Sequence, residues 1–223
     1  SDNEAVKTWQ DKSGNANHAV QSNVANQPLL RTSEINGNGA IDFDGTNYML
    51  GTSDLTPRQS DEKTAFVVCY PDVTGDDFPL NLYDTWVSGQ ATGSLGAVSM
   101  EVGYRISGRT WVSDQSPSTS SANIITLTQA GTGDLHAAIS VWLNGDVVTR
   151  DSGTDGAFVN DDKSYSLGGA ASAADYNGRT CEVIVYDSEL STEDRESVET
   201  YLAYKWGIIS NSINSSKPKF NTF

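Results

Sequence analysis

The chain has 223 residues, 37% of them hydrophobic, enough for one large all-β domain with a core of its own. Fourteen basic residues against 29 acidic ones give a formal charge of −15 and a pI near 4.3. Such a surface repels phosphate backbones and excludes nucleic acid as a partner, while it suits solubility, high-salt surroundings or cation binding. No run of about 18 apolar residues occurs, so no stretch reads as a membrane-inserted helix.

The chain opens on Ser1 with no basic-then-apolar leader, which reads as a processed chain or as a domain cut from a longer polypeptide, the second favoured by the linker-like stretch from Ile208 to Phe223. Trp9 to Ala19 holds a turn built from Ser13, Gly14 and Asn15, followed by a short strand through Gln21. Ile35 to Gly39 is an Asn/Gly turn leading into Ala40–Gly45. There Ile41 and Phe43 share one strand face and Asp42 and Asp44 the other. After the Asp44-Gly45 turn, Tyr48 to Leu50 resumes a strand. Thr64 to Tyr70 is continuously apolar and predicts a central strand covered on both faces.

Pro71 to Ser94 reads as irregular. Further strands are predicted over Gly96–Ile106, Arg109–Ser113, Asn123–Gln129 and His136–Leu143. Asn144-Gly145 is the strongest hairpin signal, joining the last of these to Val147–Arg150. Asp151–Lys163 reads as a polar loop, Tyr165–Gly168 as a strand and Gly169–Gly178 as a small-residue loop. Arg179 to Asp187 predicts a final strand. Ser191 to Gly207 then predicts one short helix, capped by Ser191, with Glu193 and Asp194 at its positive end, Lys205 in its last turn and Gly207 as the stop. Val198, Tyr201, Leu202 and Trp206 fall on one face of it. Residues 208–223 read as a linker or docked C-terminal tail, with Ile208, Ile209, Phe220 and Phe223 available to dock. Ten to twelve strands without a βαβ rhythm predict an antiparallel two-sheet jelly-roll sandwich over residues 1–207.

Several segments keep a familiar order: Trp9-x-Asp11-x-Ser13-Gly14-x-x-Asn17-His18-Ala19, Phe43-Asp44-Gly45, Trp142-x-Asn144-Gly145, Tyr165-x-Leu167-Gly168-Gly169 and Glu182 to Ser191. With the ending Tyr201 to Gly207, the set resembles the laminin-G-like (LamG-like), concanavalin A-like jelly rolls of large bacterial surface proteins and phage structural proteins, over about residues 6–207. The resemblance implies the fold. That fold hosts lectins, adhesion modules, pentraxins, glycosidases and lyases, so function has to come from the site.

Glycosidases of this superfold carry Glu-x-Asp-x-Glu along one strand, which sets two carboxylates at a working separation. The nearest run here is Asp42-x-Asp44, which reads as turn hydrogen bonding, and Glu101 and Glu182 stand alone. His18 and His136 are the sole histidines, with no nucleophile elbow and no His-Glu-x-x-His. His18 reads as a structural hydrogen-bonding group. The two cysteines, Cys69 and Cys181, lie in predicted strands. They read either as buried free thiols or as one disulfide between neighbouring strands, which needs Cα atoms within about 7 Å.

Oxygen-rich loops at Asp76-Asp77, Asp151–Asp155 and Asn160–Asp162 are the candidates for calcium, with Asp76 and Asp77 as ligands beside the alternative of solvated loop acids. The two-calcium site of pentraxin-like relatives is not matched, because Gly169–Ala173 lacks the acids. An aromatic platform beside planar polar groups suits sugars, and Tyr104, Arg105, Arg109, Trp111 and Asp114 offer one on neighbouring strands, with Trp86 a further aromatic after a flexible loop. Trp142 and Trp206 read as core. The sequence therefore predicts a non-catalytic binding module at a cell surface or in the extracellular space. The resemblance implies that it recognises carbohydrate or a surface glycoprotein and joins neighbouring domains of a larger adhesin-like protein. A phage capsid-decorating or fibre domain on a virion surface is the main alternative, and a polysaccharide-degrading enzyme a lesser one.

Overall fold

The computed structural model describes residues 2–54, 61–72, 79–83, 92–98, 101–106, 109–113, 115–131, 138–153, 164–169, 176–210 and 212–213. In chain order the strands are β1 (Glu4–Ala5), β2 (Thr8–Trp9), β3 (Ala19–Val20), β4 (Leu29–Ile35), β5 (Asn38–Asp44), β6 (Met49–Asp54) and β7 (Lys63–Pro71). They continue as β8 (Leu80–Tyr83), β9 (Thr92–Val98), β10 (Glu101–Ile106), β11 (Arg109–Ser113), β12 (Asn123–Gln129) and β13 (Ile139–Leu143). The last are β14 (Asp146–Val147), β15 (Arg150–Gly153), β16 (Ser164–Leu167) and β17 (Asn177–Tyr186), before one helix, α1 (Thr192–Trp206). A 3₁₀ turn covers Val24–Asn26.

The strands form two antiparallel sheets, as a jelly-roll sandwich requires. One runs β1-β4-β5-β17-β7-β12-β13-β14, the other β15-β11-β10-β9-β8-β16-β6-β3-β2. The first sheet is covered twice. β7 is its centre, registered against β17 on one side and β12 on the other. Its Ala65, Val67 and Cys69 join Phe43, Ile125 and Leu127 between the sheets. Its Phe66 and Val68 join Ile124, Leu202 and Trp206 beneath α1. Each fully buried large apolar side chain contributes about 1.5–3 kcal/mol, so both interfaces are substantial. The unbroken apolar run Thr64–Tyr70 follows from this double covering.

Local signals set the ends of the elements. Ser191 accepts from the Asp194 amide at 3.1 Å, and Gly207 closes α1 with φ 67°. Asn144 and Gly145 both have positive φ and turn β13 into β14, and Asn36 and Gly37 do the same between β4 and β5. The side chains of Asn36 and Asn38 then donate to the Lys205 carbonyl at 3.0 and 2.8 Å, so the β4–β5 turn caps the C-terminal end of α1. Asp44 accepts from the amide and hydroxyl of Thr46, the turn hydrogen bonding its sequence suggests.

Several expectations are corrected. The segment read as irregular contains β8 and the start of β9, and Gly96–Ile106 is a hairpin of β9 and β10 rather than one strand. Asp151–Lys163 begins inside β15. β4 carries no strand signal in the sequence because its centre, Arg31-Thr32-Ser33-Glu34, is polar. Tyr201 is 49% exposed, because the buried stripe of α1 runs through Arg195, Glu199, Leu202, Ala203 and Trp206. Of the two readings of the cysteines, the buried free thiols hold. Cys69 lies opposite Thr180, Cys181 is the extra residue of a bulge, and the two join clusters on opposite faces of the sheet, so their side chains diverge. Of the tail, Ile208 and Ile213 are buried beside α1 and Ser210 donates to the Asn144 carbonyl. Ile209 is exposed, and Phe220 and Phe223 lie outside the described residues.

Candidate functional site

The bulge at Cys181 creates an opening. β17 pairs with β5 only from Asn177 to Thr180. Among the described residues no strand pairs with that edge of β17 beyond it. A cleft of about 1030 Å³ lies there, and every residue from Cys181 to Asp187 lines it. Side chains of a strand alternate between faces, so a cavity touched by seven consecutive residues runs along the strand's edge. It reaches Lys205 on the helix side and Leu80 and Leu167 on the inter-sheet side.

The far wall is the loop from Trp9 to Asn17, and its shape is set by Asp11. The Asp11 carboxylate accepts from the Ser13 amide and hydroxyl, both at 2.8 Å, and from the Asn17 amide at 3.0 Å. Its own amide donates to His18 Nδ1 at 3.1 Å, the structural role the sequence suggests for that histidine. The Ser13 amide, with the other donors, holds the Asp11 carboxyl below the usual carboxylate range although partial burial opposes it. Asn17 is pinned twice more. Tyr165 donates its hydroxyl to the Asn17 carbonyl at 2.6 Å, and Ser53 donates to the Asn17 side-chain oxygen at 2.5 Å. Gly51 permits this, since a Cβ there would stand 2.5 Å from the Tyr165 ring.

At the other wall Glu182 accepts from Trp206 Nε1 at 2.7 Å and Lys205 Nζ at 3.0 Å, with the Tyr201 hydroxyl at 3.4 Å. Asp11 and Glu182 are thus committed as acceptors. The cleft thus sets a wall of fixed amides and carboxylates beside the partly exposed Trp9 and Tyr186.

The predicted platform lies elsewhere. Tyr104 is registered opposite Trp111, so those two positions meet across β10 and β11. The same row continues through Leu95 and Leu80 to Leu167, and Leu80 and Leu167 belong to the core between the sheets. Arg109, two residues from Trp111, has the same parity. Arg105 is registered opposite Thr110 and has the other. Trp86, Asp114, Asp76, Asp77, Asp155, Asn160–Asp162 and His136 lie outside the described residues. Among the described residues no three His, Cys, Asp or Glu side chains gather in a metal-holding group. The cleft was missed because the bulge that opens it has no signature in Thr-Cys-Glu. The wall was readable in part, since Asp-x-Ser predicts a side chain bonding the amide two residues on. Trp206 is core, as expected. Trp142 is half-buried, with the Arg195 guanidinium 4.3 Å over its ring.

No family model and no curated protein sequence matches the chain. Solved structures do. Domain 4 of AbnA, an extracellular GH43 arabinanase from Geobacillus stearothermophilus solved with arabinotriose, superposes with TM-score 0.57 at 12% identity, over 86% of this chain and 96% of that one. Trypanosoma rangeli sialidase gives TM-score 0.60 at 12% identity over 89% of this chain and 32% of the sialidase. The binding domain of Paraclostridial Mosquitocidal Protein 1 gives 0.50 at 13% identity over 91% of this chain and 55% of that one. At these identities the likeness is one of fold.

Proposed function

We propose that the chain is a non-catalytic binding module of a larger secreted or surface protein, that it belongs with the laminin-G-like jelly rolls, and that it recognises carbohydrate or glycoconjugate. The observation that carries this reading is the cleft between the Trp9–Asn17 loop and β17. It places partly exposed aromatic surface beside fixed planar polar groups, the combination that sugar rings require. The fold is shared with an arabinanase domain solved with arabinotriose and with a toxin's binding domain, which supports recognition of a ligand. It is shared with a sialidase as well, so turnover of a labelled polysaccharide is the outcome that would reverse the non-catalytic part. Calcium at Asp76 and Asp77 belongs to the proposal as a structural or ligand-bridging ion. A glycan array run with calcium and again with chelator tests it. Glycan binding is expected, and its loss in chelator assigns a role to the ion. An array blank in both conditions overturns carbohydrate recognition.

A further inference from the structure

Resting on that proposal, we infer that the cleft takes an uncharged, linear oligosaccharide of about four rings, laid along the open edge of β17. Three observations carry this. First, the cleft follows the strand edge from Cys181 to Asp187. At about 3.3 Å per residue that edge spans about 20 Å, the length of a short extended glycan rather than of a single sugar. Second, a strand edge that has no partner among the described residues presents backbone N–H and C=O groups in alternation, and a chain of hydroxyl-bearing rings can both donate to and accept from such a row.

Third, the charge is unfavourable to acidic sugars. Asp11, Glu182 and Asp187 line the cleft against Lys12 and Lys205, and Lys205 is neutralised by Glu182. Around it the whole chain carries −15. A sialylated, sulfated or uronate-containing glycan would meet repulsion both from the wall and from the surrounding field.

The experiment is a backbone-amide NMR titration of the protein with neutral linear tetrasaccharides of arabinose and of glucose, beside sialylated and uronate-containing oligosaccharides of equal length. Asp187→Lys, an exposed change at the cleft rim, is titrated in parallel. A neutral tetrasaccharide is expected to shift the amides of residues 182–187 and 13–17. The acidic glycans are expected to bind at least tenfold more weakly, with the gap narrowing in Asp187→Lys. Acidic glycans binding at the same amides as well as neutral ones would overturn the inference and leave the binding module standing. So would neutral glycans that shift residues 101–113 instead. If no saccharide of either kind binds, the carbohydrate reading beneath it falls. Binding of an extended peptide in place of every sugar has the same consequence.

Discussion

The most consequential single residues are polar ones buried under the helix. Glu199 is 1% exposed and accepts from the Thr126 hydroxyl at 2.8 Å and from Arg195 at 2.5 Å, while Arg195 caps the Trp142 ring. Burial pushes the Glu199 carboxyl above its ordinary range, against the pull of Thr126 and Arg195. Removing one member of such a pair strands the other, so Glu199→Ala should cost about 3–5 kcal/mol in urea unfolding, and the double change Arg195→Met with Glu199→Leu far less. Lys63 is fully buried and donates to the Asp61 carbonyl at 2.8 Å, and desolvation lowers its pKa from 10.5 to about 7. Between those values the unfolded chain holds the proton that the folded one releases, so stability should rise with pH from about 7 to 10.5. Lys63→Met should flatten that slope in denaturation midpoints measured across the range. A slope that persists in the variant would assign it to another group.

At the scale of elements, α1 and the β13–β14 hairpin hold each other through the tail. Gly145 has φ 83°, and a Cβ there would stand 2.5 Å from Ile213 Cγ1. Gly145→Ala should therefore lower the thermal midpoint through both backbone strain and the displaced Ile213. Ser191→Ala removes the cap of the helix and should cost about 1 kcal/mol, with Ser191→Asp restoring most of it. Both ends of α1 were legible because a cap and a stop are local events, decided by residues within one turn. The buried face was only partly legible. Arg195 and Glu199 look like surface residues in sequence, and only the sheet beneath, with Thr126 and Trp142, makes them interior.

At the scale of the molecule, one sheet lies between a second sheet and a helix, and Cys69 and Cys181 report on its two faces. Burial pushes the Cys69 thiol up to about 12 and the Cys181 thiol up as well. Neither should react with a thiol reagent in the native state, and two free thiols should titrate in guanidinium. A disulfide found by mass spectrometry would contradict the divergence of their side chains. By itself the sequence determined the two-sheet class, the central position of Thr64–Tyr70, the closing helix with its caps, and the hairpin at Asn144-Gly145. Each depends on alternation or on backbone preferences that a few neighbouring residues settle. Tertiary structure alone decided which edge of β17 stays open among the described residues, that Tyr104 and Trp111 share the row of Leu80, and that the Trp9 loop faces Glu182. Those relations join residues far apart in the chain, and a one-residue bulge, unwritten in local composition, changes which of them meet.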